Sequence, residues 1–407
     1  MSESVAVAAP VADVLPRRLP RGFAFAAVAA IFVLFMAASS APSPLYVVYQ
    51  QNWHFSATTL TAVFAVYVVG LIASLLVLGA LSDHVGRRPV LGAAIALEAT
   101  SLVLFLVAGD VPVLFAARLV QGIATGAAMT AMAATLVDLD PPHAPGRAGV
   151  VNGIAPTTGL ALGALGCGAL VQFAPAPTHL VYVVLLAGMV LAALIVAAMP
   201  ETSGRRPGGL RSLQPRLGVP QRLRADFFAL VPILLASWSL GGLYLSLGPS
   251  IASGLFGLTN HLIGGLVVTL LCGTGALATF LLRTRPVQWT LGVGAALLTA
   301  GLVLTFAGIA AGLVALGIVG TVVAGVGFGA SALASFGTLA RISAPAERGE
   351  LFAVAYVISY LAFSVPAVVA GFAATAFGLR PTALVYAAVL GVLAATALVV
   401  QRLRVTR

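Results

Sequence analysis

Two charged side chains stand where the sequence offers no water. Glu98 lies in the apolar stretch LGAAIALEATSLVLFLV, and Arg118 lies in VLFAARLVQGIATGAAM. A charge at the centre of a bilayer costs about 2.5–3.5 kcal/mol on insertion scales, so protonation is the cheaper state for Glu98 unless a cation is near. A carboxyl group that takes up and releases a proton in such a place performs the chemistry of proton coupling. Arg118 has no neutral form to adopt and must find an acceptor or a wet cavity. A third concentration of charge is the decapeptide Gly79–Arg88, GALSDHVGRR. It sets the carboxylate of Asp83 within reach of Arg87 and Arg88, while Gly79 and Gly86 permit close backbone approach and a tight turn. Those residue types at that spacing make an ion-paired latch.

The elements that must carry these groups are helices in a membrane. The mean hydropathy is +1.09, with 60% hydrophobic and only 8% charged residues, where a soluble chain would carry roughly 25% charged. Twelve stretches are long enough to cross a bilayer at about 20 residues each. They run approximately over 23–50, 57–81, 89–109, 112–138, 147–172, 178–199, 226–251, 260–282, 287–308, 311–341, 348–376 and 381–401. The least marked division is Gly308 to Gly312, which carries no charge. The fold expected is all-α and integral to the membrane.

Charge distribution supports that division. All 21 basic residues are arginines, and with twelve spans only Arg380 falls on one side and Arg118 within a span. The remaining 19 fall in loops and tails on the other side. That asymmetry leads to the expectation of a multi-pass protein of the cell inner (cytoplasmic) membrane with both termini cytoplasmic, and it explains the net charge of +10 without nucleic acid. At 1.5 Å per residue, Glu98 then lies about 15 Å into the bilayer from the cytoplasmic side and Arg118 about 21 Å, roughly 6 Å apart in depth. Two extended side chains span that difference, so a direct pair is one expectation and a wet cavity around Arg118 the other.

The chain divides in two at its longest polar stretch, 201–225. The expected parts are a cytoplasmic tail (1–22), a six-helix bundle (23–200), a cytoplasmic linker (201–225), a second six-helix bundle (226–401) and a short cytoplasmic tail (402–407). Pro44 and Pro249, Pro156 and Pro366, and Arg147 and Arg348 recur at offsets of about 205 residues. Such recurrence fits two repeats related by an axis along the membrane normal. Pro42, Pro44, Pro156, Pro249 and Pro366 lie inside spans and permit kinks there.

The decapeptide resembles the loop signature of the major facilitator superfamily, G-x-x-x-D-[R/K]-x-G-R-[R/K]. Gly79, Asp83, Gly86, Arg87 and Arg88 fall on the pattern, and His84 replaces a basic residue. Arg118, Gln121, Gly122 and Gly126 match the family's span-four motif R-x-x-Q-G-x-x-x-G, and Pro200-Glu201-Thr202 closes span six as it often does there. In span five, Pro156 and Gly159 retain part of the motif of the drug:proton antiporter group, G-P-x-x-G-G, with Ala155 and Leu160 where glycine is expected. The resemblance implies two pseudo-symmetric six-helix bundles, a latch that holds the cytoplasmic gate shut against the second half, and transport by alternating access. In that family span three is usually peripheral, and the acid of the drug antiporters is more often in span one, which has none here.

Aromatic and polar residues on inner spans are the candidate substrate contacts: Tyr46, Tyr49, Gln50, Gln121, Asn152, Trp238, Tyr244, Tyr356 and Tyr360. Tyr46 and Tyr49 lean towards the interface. A cavity of this composition is aromatic and nearly free of fixed charge, which suits neutral or cationic amphiphiles. Cys167 and Cys272 lie in apolar stretches without metal-ligand spacing, and His54, His84, His143, His179 and His261 are dispersed. The expectations are therefore no enzyme, no metal and no cofactor, with the proton gradient as energy source. The leading expectation is proton-coupled efflux of a small hydrophobic or amphipathic compound by a monomer whose partners are that substrate, protons and the bilayer. Proton-coupled import of an organic nutrient, and a non-transporting receptor or scaffold, are the alternatives.

Overall fold

The computed structural model describes residues 19–142, 144–204, 207–215, 217–344 and 347–405. The N-terminal segment through residue 18, His143, and the arginines at 17, 18, 205, 206, 216 and 407 that entered the orientation argument lie outside the described residues.

Among the described residues, twelve helical spans are long and apolar enough to cross a membrane. The first is built from α1 (Arg21–Ser40) and α2 (Pro42–Trp53), broken at Ala41 where Pro42 and Pro44 cannot donate backbone hydrogen bonds. Then come α3 (Ala57–Leu78), the short loop helix α4 (Ser82–Val85), α5 (Arg87–Leu106), α6 (Val111–Asp138), α7 (Arg147–Phe173) and α8 (Leu180–Ala198). After the linker, which holds the single turn α9 (Gly209–Ser212), span seven repeats the break of span one. Here α10 (Arg224–Ser246) gives way to α11 (Gly248–Phe256) at Leu247, two residues before Pro249. The remaining spans are α12 (His261–Leu282), α13 (Val287–Ala311), α14 (Val314–Ile342), α15 (Arg348–Phe377) and α16 (Leu379–Val405). The chargeless division at Gly308 to Gly312 is real: α13 ends at Ala311 and Gly312 turns the chain at φ +69°. By contrast, α7 and α15 run through Pro156 and Pro366 without interruption.

In the first half α6 packs on α3 and α5, α1 on α7, and α5 on α8; in the second α14 packs on α12 and α13, α16 on α13, and α10 on α15 and α16. The halves meet mainly through α7 against α12 and α3 against α15. Outward-facing side chains such as Leu194, Val385 and Val392 remain mostly exposed, as a lipid-facing belt requires.

The two ends of the molecule differ. At the end opposite the Gly79–Arg88 loop, polar contacts cross between halves. The Thr58 backbone N–H donates to Thr375 Oγ1 at 3.2 Å, and the His261 N–H donates to Gln172 Oε1 at 3.0 Å. At the arginine-rich end the halves are parted by clefts. One of 770 Å³ has Asp83, His84 and Thr130 on one wall and Glu350, Phe352 and Tyr356 on the other. Another of 670 Å³ lies between Phe25 and Arg147 of the first half and Phe280 and Arg283 of the second.

Candidate functional site

The loop Gly79–Arg88 is anchored within the first half. Arg87 is buried, pairing with Asp83 at 2.5 Å and through Nε with Asp138 Oδ2 at 3.1 Å. Its Nη1 also donates to Ser82 Oγ at 2.7 Å. Gly86 sits at φ +110°, a conformation L side chains rarely adopt, and a Cβ there would lie 2.8 Å from a Glu201 oxygen. Glu201 accepts the backbone N–H groups of Arg87 and Arg88 at 2.8 and 3.1 Å, satisfying donors that every helix leaves free at its N-terminus. Arg88 in turn donates from Nε to the carbonyl of Val196 at 3.1 Å and from Nη2 to that of Ala197, at the C-terminal end of α8. Neither ion pair of the loop reaches the second half. Asp83 faces the open cleft with its side chain 51% exposed.

The second group is buried in the first half. Glu98 on α5 is fully buried, and its Oε1 accepts from Gln121 Nε2 at 2.9 Å. Gln121 also donates to the Ala38 carbonyl at 3.1 Å, and its Oε1 accepts from Arg118 Nη1 at 2.6 Å. Arg118 spends its other donors on the Ser39 carbonyl at 3.0 Å and on the Tyr46 hydroxyl, reached by Nε at 2.7 Å and also by Nη2. The ring of Tyr67 lies 5.0 Å from its Cζ, a cation–π distance, and the Tyr67 hydroxyl donates to Ser39 Oγ at 3.2 Å. Glu98 and Arg118 thus form neither the direct pair nor the wet site expected. Gln121 stands between them, and Arg118 is 1% exposed. Glu98 Oε2 is buried with no hydrogen-bond partner. The carbonyls of Ala38 and Ser39 are within reach because α1 ends at the break beside Pro42.

Across from this group, the second half presents an aromatic wall. Trp238 on α10 meets Tyr360 edge-on at 5.0 Å, and Phe336 lies 4.9 Å from Tyr356. Tyr356 lines the larger cleft, so the wall is reached from the arginine-rich end. Tyr67 and Tyr360 share one apolar cluster with Phe64 and Phe363, whose rings are 5.1 Å apart across the halves. The Tyr360 hydroxyl donates to Met129 Sδ at 3.3 Å.

The other predicted residues are dispersed. Tyr46, expected near the interface, is fully buried against Arg118. Tyr49 stacks on Trp53 at 4.7 Å and shares a hydrogen bond with Tyr182 at 3.2 Å. Gln50 accepts from Ser250 Oγ at 3.4 Å where the halves touch at the far end. Asn152 bonds the Ala133 carbonyl at 3.2 Å within the first half. Tyr244 bonds Thr321 at 2.7 Å inside the second half. The motif glycines are packing positions. A Cβ on Gly122 would lie 2.0 Å from the Tyr67 carbonyl oxygen and one on Gly126 2.5 Å from that of Leu71, both on α3. One on Gly159 would meet α1 at Met36, 2.4 Å away. Sequence reasoning missed Tyr67, Ser39 and the capping role of Glu201. For Glu201 the signal was present, a lone carboxylate directly after the proline that ends a span.

Solved structures of similar fold include transporters. A bacterial homologue of the human lysosomal transporter Spinster, in an inward-facing and unoccupied conformation, superposes with a TM-score of 0.74 at 15% identity, covering 94% of this chain and 97% of that one. The human organic anion transporter MFSD10 (TETRAN) gives 0.67 at 18% identity over 93% of this chain and all of the other. The nucleoside transporter NupG gives 0.68 at 12% identity over 94% of this chain and, likewise, all of the other. The family model of the Major Facilitator Superfamily matches residues 23–316. With twelve membrane-crossing helices in two packed halves and that match over most of its length, the chain belongs to the Major Facilitator Superfamily of transporters.

Proposed function

We propose that this protein is a proton-coupled secondary transporter that exports a small hydrophobic or amphipathic compound from the cytoplasm. The arginine-rich end faces the cytoplasm of an inner membrane. The bundles 23–200 and 226–401 rock about the site between them, in a protein that acts as a monomer and draws on the proton gradient. The observation that carries the reading is Glu98, a fully buried carboxyl group with Oε1 held by Gln121 and Oε2 left without a partner. Oε2 is the atom on which a proton would reside. Loss of that proton puts a charge beside Gln121, whose carbonyl oxygen is held by Arg118, and through Arg118 on Tyr46 and Tyr67. Tyr67 adjoins Tyr360, so the charge state of Glu98 is transmitted to the aromatic wall along contacts already in place. Trp238, Tyr356 and Tyr360 offer ring faces and no fixed charge, which favours amphipathic cargo over phosphorylated metabolites. The cleft at the arginine-rich end admits that cargo from the cytoplasm.

The test uses proteoliposomes with a trapped pH-sensitive dye and an imposed proton gradient. Lipophilic cations, neutral antibiotics, sugars and amino acids are supplied in turn. Substrate-dependent proton flux that vanishes in Glu98→Gln is the expected result, with a sign that denotes exchange. Flux of the opposite sign would make the protein an importer, and substrate movement with no proton flux would end the proposal.

A further inference from the structure

The second half contains a cavity of about 320 Å³ walled by α10, α11, α12, α13, α14 and α16 and lying wholly on one side of the contact between halves. Its position follows from the internal repeat. In the first half Gly122 and Gly126 of α6 press on the backbone of α3 at Tyr67 and Leu71; in the second Gly325 and Gly329 of α14 press on that of α12 at Leu271 and Gly275. That register pairs Arg118 with Thr321 and Gln121 with Ala324. It also pairs Glu98 with Gly301, whose Cα faces Ala324 so closely that a Cβ would lie 2.3 Å from the Ala324 nitrogen. Two residues beyond the paired prolines Pro44 and Pro249, Tyr46 corresponds to Ile251. The large polar side chains that fill the first half are therefore replaced by small or apolar ones. Thr321 and Ile251 line the space that remains.

The walls are apolar except at one place. Tyr244 and Thr321 share a hydrogen bond at 2.7 Å, and Thr321 Oγ1 donates to the Gly317 carbonyl at 2.9 Å, so Tyr244 donates to Thr321 and keeps its oxygen lone pairs free. Thr305, which also lines the cavity, differs from its neighbours. Thr299 and Thr321 send their hydroxyl protons to the carbonyl four residues back, at 2.8 and 2.9 Å, whereas the buried Thr305 Oγ1 makes no such bond and has only the Tyr244 hydroxyl beside it. A buried hydroxyl without a partner is costly, and pockets of roughly 300–1,000 Å³ with a few polar groups in apolar walls are ligand sites.

We propose that this cavity is a binding site, separate from the aromatic wall at the cleft, for a neutral lipophile carrying one hydroxyl or carbonyl group. The ligand oxygen accepts from Thr305, a ligand hydroxyl donates to Tyr244, and the apolar body lies among Ile251, Val267 and Leu270. No charged side chain lines the cavity, so an ionised ligand would be excluded. Of the lining residues, Phe256 ends α11, Val314 begins α14 and Leu258 lies in the loop after α11, so the cavity extends to the far end of the bundle and entry is from that leaflet.

The experiment is photolabelling of the full-length protein in phosphatidylcholine nanodiscs with a benzyl alcohol that carries a trifluoromethyl diazirine in the para position. Adducts are mapped by mass spectrometry. Saturable adducts at Ile251, Val267 and Thr321, displaced by para-hexylphenol, are expected. Ala252→Phe and Ala387→Phe each fill the cavity from a different helix and should abolish them; two variants guard against one failing to fold. Thr305→Val should weaken displacement by para-hexylphenol by about fivefold, the loss of one hydrogen bond, and leave displacement by hexylbenzene unchanged. The proposal fails if labelling is unsaturable and falls on lipid-facing positions such as Val303 and Val319. It fails equally if saturable labelling survives both filled variants, or if labelling appears only after bilayer lipid is stripped away, which would make the occupant an acyl chain.

Discussion

Arg88 and Glu201 cap one another's helices. The Glu201 carboxylate accepts the first backbone N–H groups of α5, and the Arg88 side chain donates to the last carbonyls of α8. Spans three and six are joined at the arginine-rich end by groups that would otherwise compete for water. Glu201→Ala should cost about 1–3 kcal/mol by leaving two helix N–H groups without an acceptor. The check is the thermal midpoint in detergent. It should fall for Glu201→Ala, fall less for Glu201→Gln, and fall again for Gly86→Ala, which forces a side chain into φ +110°. An unchanged midpoint for Glu201→Ala would show that solvent replaces the cap.

Tyr46→Phe removes the hydroxyl that accepts from two nitrogens of Arg118. A hydrogen bond to a charged group is worth about 1.5–3 kcal/mol, and the guanidinium left behind has no water to turn to. Chemical denaturation should show a loss of that order. Tyr67→Phe, which removes the bond to Ser39 and keeps the ring over Arg118, should lose about 1 kcal/mol.

Gln121→Leu keeps the approximate volume and cuts the bridge between Glu98 and Arg118. Both carboxyl oxygens of Glu98 then lack partners. On the proposed mechanism, substrate-driven proton flux in proteoliposomes should fall at least about tenfold, the equivalent of 1.4 kcal/mol on a two-state balance, while substrate binding is retained. Equal proton flux in Gln121→Leu and the parent protein would mean that Glu98 acts without Arg118.

Gly265 and Gly168 meet where α12 crosses α7, and a Cβ on Gly265 would lie 2.3 Å from the Ala164 oxygen. Gly265→Val should wedge the far-end contact and shift the population towards a state open there. Spin labels at His179 and Thr259, in a background with Cys167 and Cys272 changed to alanine, should report a longer mean distance. An unchanged distribution would show that the helices absorb the side chain by bending.

Hydropathy and arginine placement made the twelve spans legible, because both depend only on what a bilayer tolerates at each depth. The loop Gly79–Arg88 was legible for the same reason, and so was the nearness of Glu98 to Arg118 along the bundle, since rise per residue is fixed. Helix rotation was not, and it is rotation that turns Gln121 between Glu98 and Arg118 and brings Tyr46 inward rather than to the interface. Tyr67 and Ser39 sit in uniformly apolar surroundings where no periodicity marks a face. The pairing of Arg118 with Thr321 was written in the spacing of Gly122 and Gly126 against Gly325 and Gly329. It takes meaning only once those glycines are seen to touch equivalent helices.

The far-end contact between halves combines side-chain hydrogen bonds, as at Thr375 and Gln172, with close approaches at glycine, where Gly168 meets Gly265 and Gly371 meets the Thr61 side chain. Interlocked side chains must change rotamer before two surfaces can part, and each such change is a separate activated step. Where glycine faces glycine no side chain has to be withdrawn, and the polar hold on the seam is left to a few hydrogen bonds at Thr375, Gln172 and Gln50. On the proposed rocking motion each of these can pass to water as the end opens, so the seam loosens bond by bond.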